Sequence, residues 1–272
     1  MLIVRDLDDL RSARDRLGPL ALVPTMGALH DGHVSLLAAA RETGLPVAAS
    51  IFVNPLQFGP QEDLSRYPRD EAGDLSRLEA AGCDLAWLPR VEAMYPPGRA
   101  TSIEVLGPSE GWEGAARPGH FRGVATVCAK LFNQTGAAVA VFGEKDWQQY
   151  QVIRRMVADL DLPVRIIGGP TVREPDGLAM SSRNRFLDKA DRALAPLLHR
   201  AMQSAATAML GGTNAAAALE AARAGLIAAG FAVDYLALVE STTLREATVP
   251  PGRLIAAAKL GGVRLLDNIA VG

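Results

Sequence analysis

The feature that most constrains the fold is a rhythm of short apolar runs separated by helical patterns. "LALVP" (20–24), "PVAASIFV" (46–53), "CDLAWL" (83–88), "AAVAVFG" (137–143) and "PVRIIGG" (163–169) show little alternation of polar and apolar residues. A strand that is apolar on both sides has to be covered on both sides, as in a parallel sheet flanked by helices. The stretches between these runs supply the helices, expected at 34–44, 68–82, 123–136 and 145–160. Gly44 and Gly82 stand where a helix C-terminus wants glycine, and Pro68 where a first turn tolerates proline. One more strand is expected at "TSIEVL" (101–106), inside a loop region that runs to about residue 120. The fold class is therefore α/β.

The pattern changes near residue 171. A polar, loop-like stretch leads into two alanine-rich helices, at about 189–210 and 214–229. Three strands follow, in "AVDYLALVE", "RLIAAAK" and "VRLLDNIAV". This predicts two domains: 1–171, built on the parallel sheet, and 172–272, a smaller α+β unit.

Composition excludes more than it selects. The formal charge of -2 gives no global basic field for nucleic acid. Two cysteines, Cys83 and Cys128, make neither a disulfide framework nor a zinc knuckle. The charged N-terminus does not read as a signal peptide, and no apolar run spans a membrane. The expectation is a cytoplasmic protein with no membrane or nucleic-acid partner. A phosphate-binding G-x-x-x-x-G-K-[ST] loop, a nucleophile elbow and a Gly-x-Gly dinucleotide turn are all missing.

In parallel sheets, ligands bind beyond the C-terminal strand ends, where helices present free N–H groups. Several polar segments fall there. "PTMGALHDGH" (24–33) places His30 and His33 between a strand and a helix. They could donate hydrogen bonds to phosphate oxygens, or they could merely cap the helix. "FGEKDWQQ" (142–149) puts Lys145 at a helix start, where the dipole has the wrong sign for it unless an anion binds. Gln149 follows one turn later, and Asp146 could accept from a ribose hydroxyl or hold a cation. "MSSRNR" (180–185) offers two hydroxyls and two guanidiniums, an anion clamp or a capped surface loop. "FVNPLQFG" (52–59) sets Asn54 and Gln57 between aromatic walls, fit for a small polar substrate with an apolar body or for a structural loop. "RPGHFRGV" (117–124) reads as a capped helix entry.

Taken in order, with "YPRD" (67–70) and "VRLLDN" (263–268), these segments resemble the pantothenate synthetase family, in the nucleotidyltransferase superfamily with the His-x-Gly-His signature. The resemblance runs from about residue 20 to the end. Asp31 stands where the family often has glutamate, and Trp147 where a smaller or phenolic residue often sits. The resemblance implies a Rossmann-like N-terminal domain with a smaller C-terminal lid, a homodimer, and magnesium used with ATP. It implies condensation of pantoate with β-alanine through a pantoyl adenylate, releasing pyrophosphate and then AMP. The nearest alternative is an adenylyltransferase of the same superfamily acting on a phosphate acceptor.

By the same resemblance, His30, His33, Lys145 and Arg183 would be catalytic, the histidines stabilising charge on the α-phosphate. Gln57, Gln149 and Met26 would hold pantoate. Pro24, Met26, His33, Gly143, Lys145 and Asp146 would contact ATP from the first domain. Val172, Met180, Ser181, Ser182 and Arg183 would do so from the second. Asp74 matches an acid near the magnesium. The position of "MSSRN" just past the domain boundary predicts that a hinge brings Arg183 to the phosphates.

Overall fold

The structure is a computed structural model that describes residues 1–59 and 64–272. Residues 60–63 of the polar loop in 54–70 lie outside the described residues. The first strand, β1 (Leu2–Val4), and helix α1 (Leu7–Leu17) come from the charged N-terminus. There follow β2 (Leu20–Thr25), α2 (Asp31–Arg41), β3 (Val47–Ile51), α3 (Glu71–Ala80) and β4 (Leu85–Trp87). Short helices α4 (Val91–Met94) and α5 (Trp112–Ala116) precede α6 (His120–Thr135), β5 (Ala137–Gly143), α7 (Trp147–Asp159) and β6 (Arg165–Gly169).

These strands form one parallel sheet in the order β1-β4-β3-β2-β5-β6. Both faces are covered, as the apolar runs require. Along β2, Leu20 and Leu22 join the core with Leu10, Val124 and Leu131, while Ala21 and Val23 join the opposite core with Leu37 and Leu78. Each fully buried leucine or valine contributes about 1.5–3 kcal/mol. The chain leaves β2 toward β3 on one side and returns to place β5 on the other. The strand order therefore reverses between β2 and β5, and their C-terminal ends open the crevice where such sheets bind ligands.

After Gly169 the chain builds a second sheet. Helix α8 (Lys189–Leu194) leads into α9 (Leu197–Leu210) and α10 (Ala215–Ala228), which pack on antiparallel strands β7 (Ala232–Val239), β8 (Gly252–Leu260) and β9 (Val263–Val271). Their core is drawn from residues between Leu178 and Val271. The other face of this small sheet meets the first unit. Tyr235, Ala237 and Val239 cluster there with Trp112 and Trp147. Trp147 donates its indole N–H to the Ser241 carbonyl at 2.8 Å, and Trp112 does the same to Leu244 at 2.9 Å.

Three sequence expectations need correction. "TSIEVL" forms no strand. Its Ile103 N–H donates to Thr126 Oγ1 on α6 at 2.9 Å, so a side chain takes the place of a ladder. The helix expected over 189–210 is two helices, because Pro196 cannot donate and breaks the run. Lys145 lies not in an α-helix but in a 3₁₀ turn, Glu144–Asp146, that precedes α7.

Helix α6 comes unusually close to the turn Pro55–Gln57. A Cβ on Gly123 would sit 2.2 Å from the Leu56 carbonyl oxygen, so only glycine fits. Gly123→Ala should cost about 1–3 kcal/mol, as overpacked sites do. Chemical denaturation checks this, and a variant as stable as wild type would refute the close contact.

Candidate active site

The cleft at the β2/β5 switch point encloses about 260 Å³ and is lined from both units. Every candidate residue except Asp74 lines it. Pro24 and Met26 come from the end of β2, His30 and His33 from the start of α2, and Gln57 from the turn after β3. Gly143, Lys145, Asp146 and Gln149 follow β5, and Val172 with Met180–Arg183 closes the opposite wall.

The two histidines do more than cap a helix. His30 is the N-cap of α2, and its Nδ1 accepts the Gly32 N–H at 3.1 Å. His33 Nδ1 accepts the His30 N–H at 3.2 Å. Both Nδ1 atoms are acceptors, so each neutral ring carries its proton on Nε2, the atom left to serve a ligand. Gly32 is needed for this fold-back, since a Cβ there would lie 2.8 Å from His30 Cε1. The rings are tilted at 45° to each other with centroids 4.1 Å apart.

Burial pushes the His30 pKa down to about 4, with Lys145 adding to the effect. Burial and the neighbouring His30 push His33 down to about 3. At neutral pH both act as oriented neutral donors. The unfolded chain binds these protons first, near pH 6.5. Stability from the neutral pair is therefore complete above that value and is lost as pH falls toward 4 and then 3. NMR titration of the two Cε1 protons should give midpoints well below 6; midpoints near 6.5 would overturn the assignment.

Lys145 and Asp146 pair at 3.6 Å, and the Asp146 side chain is 48% accessible from the cleft. Its partial burial opposes charge, but Lys145, Arg183 and His120 outweigh it and hold the carboxyl below the usual range. Across the cleft, Gln57 donates to Met26 Sδ at 3.0 Å and accepts from Asn54 at 3.0 Å. Asn54 in turn accepts from the Tyr95 hydroxyl at 2.7 Å. This chain of contacts fixes one amide wall. Gln148 lines the cleft beside Gln149, and its amide N–H groups tie α7 to the carbonyls of Pro108 and Glu110 at 3.0 and 3.2 Å.

The loop from the second unit is already docked. Ser182 Oγ donates to the Ala28 carbonyl at 3.0 Å, and the Arg183 guanidinium lies 5.9 Å from the Tyr67 ring centre.

Asp74 is not in the cleft. It is 3% exposed, and its carboxylate accepts the N–H groups of Ala28 and Leu29 at 2.8 and 2.7 Å. Ala28 sits at φ +51°, a strained value for a residue with a Cβ, and this carboxylate holds it there. The expected metal ligand is thus a brace for the histidine loop. Its spacing from Tyr67 gave no hint of that, because the partners are backbone groups of a distant segment.

Sequence reading also missed residues. Glu113 is buried at the cleft wall, gripped by Arg264 at 2.6 and 2.7 Å and by the Tyr235 hydroxyl at 3.2 Å. Asn268 reaches the Lys145 turn from β9. The quoted "VRLLDN" contained two of these residues, but nothing local said which way they face.

A sheet switch point furnished with neutral imidazoles, a lysine and an arginine defines an α/β protein whose cleft is chemically suited to an anionic ligand beside a small polar one. A family model described as pantoate–beta-alanine ligase matches residues 2–270. The pantothenate synthetase of Acidiphilium cryptum is 62% identical over the whole of both chains. That of Rhizorhabdus wittichii is 57% identical, covering 100% of this chain and 99% of its own. Among solved structures, pantothenate synthetase from Thermus thermophilus superposes with a TM-score of 0.95 at 49% identity, covering 100% of this chain and 99% of that one. Pantoate–beta-alanine ligase from Francisella tularensis, solved in complex with beta-gamma ATP and beta-alanine, gives 0.86 at 32% identity over 99% and 97%. The chain belongs to the pantoate–beta-alanine ligase family.

Proposed function

We infer that this chain is an enzyme that joins pantoate to β-alanine at the expense of ATP, forming pantothenate, AMP and pyrophosphate. The observation that carries this is the pairing, in one cleft, of an anion-binding wall with the amide wall around Gln57. Membership of the ligase family supplies the substrates.

The reaction proceeds in two displacements. An oxygen of the pantoate carboxylate attacks the α-phosphorus, and the bond to pyrophosphate breaks. The β-alanine amine then attacks the acyl carbon of the pantoyl adenylate, AMP leaves with the bonding electrons, and the amine loses a proton. The protein supplies no nucleophile; it positions groups and stabilises charge. His30 and His33 aim neutral N–H groups at the phosphate oxygens and need not reorganise as charge develops. Lys145 and Arg183 supply full charges, and Ser181 and Ser182 complete the clamp. Gln57, Gln149 and Met26 hold pantoate. Gly143 and Asp146 would contact the ribose, and Val172 and Met180 the adenine.

The donor set suits Mg²⁺ entering with ATP, since that ion is usually held by phosphates and one or two carboxylates. Asp146 is the carboxylate at hand, because Asp74 is engaged by backbone. When bound, the ion would neutralise phosphate charge. The working form is taken to be a cytoplasmic homodimer whose units, 1–171 and 172–272, hinge about the cleft.

The test is AMP release from ATP and magnesium, with pantoate or β-alanine omitted in turn. AMP and pantothenate should appear together only when both are present. A stable nucleotidylated product without AMP would instead identify an adenylyltransferase. Arg183→Ala should weaken ATP and slow turnover by at least about tenfold, as loss of a charged phosphate contact does. Unchanged kinetics would remove Arg183 from the clamp.

A further inference from the structure

We propose that Asn268, on the last strand of the second unit, is a positioning residue for the phosphate-binding lysine. The inference rests on the reading of Lys145 as a contact to ATP.

One side-chain amide does the work. Asn268 Nδ2 donates to the Glu144 carbonyl at 2.9 Å and to the Lys145 carbonyl at 2.8 Å, so both its hydrogens go to the 3₁₀ turn that carries the lysine. Its Oδ1 accepts from Arg253, whose guanidinium is stacked 3.3 Å from the centre of the Trp147 ring. Its own N–H is held by Asp267 at 2.7 Å. Asp267 is in turn gripped by Arg173 at 2.6 and 2.8 Å. With every polar atom of its side chain committed and only 4% of its surface exposed, Asn268 has one available orientation.

The turn needs such a brace. Asp146 makes no side-chain cap to α7, and Lys145 and Asp146 must stand at the sheet end against a bound polyanion. The rest of the site is anchored independently. Gln57 is fixed by Asn54, and α7 with Gln149 is tied down by Gln148. Asn268 therefore governs the lysine turn and not the amide wall. It also makes the geometry of the phosphate site depend on the second unit being seated.

The experiment measures binding of β,γ-methylene-ATP with Mg²⁺, and separately of pantoate, by calorimetry on the full-length protein. The variants are N268D, K145A and the double variant. N268D keeps the shape of the side chain and the acceptor for Arg253 but loses both donors. It should weaken the ATP analogue about tenfold, the scale of 1.4 kcal/mol in binding. Pantoate should change by less than about twofold, and N268D should add less than about twofold on top of K145A. Wild-type ATP affinity in N268D, equal weakening of both ligands, or an undiminished extra loss in the double variant would overturn the proposal. N268A is the second probe and should repeat the ATP-selective loss; collapse of both variants would mark Asn268 as purely structural and refute the positioning role. Wild-type ATP affinity in K145A would remove Lys145 from the ATP site and take this inference with it. A loss in K145A with none in N268D would sink the inference alone.

Discussion

His33→Ala should lower kcat for AMP formation by about 10²–10³, the loss seen when one pre-oriented donor to a developing oxyanion is removed. Pantoate affinity should stay within a few fold, since the amide wall does not touch His33. The size of the effect follows from how the ring is set. Its Nδ1 is fixed by the His30 N–H, burial keeps it neutral, and its Nε2–H is committed in direction before substrate arrives. Water could not replace that donor without reorganising. His33→Gln, which can still donate an N–H, should recover part of the rate. A kcat within about fivefold of wild type in His33→Ala, measured on folded protein, would show that the imidazole is a helix cap and no more.

Asp74→Ala should be the most destabilising of the single changes considered, by about 2–6 kcal/mol, because it strands two buried backbone N–H groups at about 1–3 kcal/mol each. Asp74→Asn should also be destabilised, since its amide can accept at only one of the two positions. Both variants should lose activity through the loop, which would no longer hold Ala28 in its strained conformation or present the histidines. Raising the magnesium concentration should not restore the rate. Recovery with magnesium would return Asp74 to the metal and contradict the brace. A melting temperature unchanged from wild type would do the same.

Much of the site was legible because its residues are contiguous. The His30–His33 pair and the Gly143–Gln149 run stand out by composition and by their place after a strand, whereas the Met180–Arg183 loop on its own reads equally as a capped surface loop and joined the candidates through the family resemblance. The parallel sheet was legible for a related reason. Runs such as "AAVAVFG" carry their burial on their face, and both sides of β5 are indeed covered. What was not legible depends on partners far away in the chain. Residues 101–106 have strand-forming side chains, yet Thr126 on α6 satisfies the Ile103 N–H and no ladder forms. The short β1 gave no signal, because three residues cannot show a period and their stability comes from pairing with β4. Glu113 and Asn268 look ordinary in sequence, and only the seating of the small sheet turns them toward the cleft.

By itself the sequence determined the α/β class, the family, the place of the cleft at the ends of β2 and β5, and the residue types that line it. Only the tertiary structure decided that the Nδ1 atoms of both histidines are held by backbone N–H groups, that Asp74 braces the histidine loop, and that Asn268 grips the turn of Lys145. The physical reason is range. Propensity, periodicity and strand-to-helix junctions act over short stretches and can be read along the chain. Protonation, hydrogen-bond satisfaction and side-chain direction are set by desolvation and by groups far away in sequence, and these come together only when the two units close on each other.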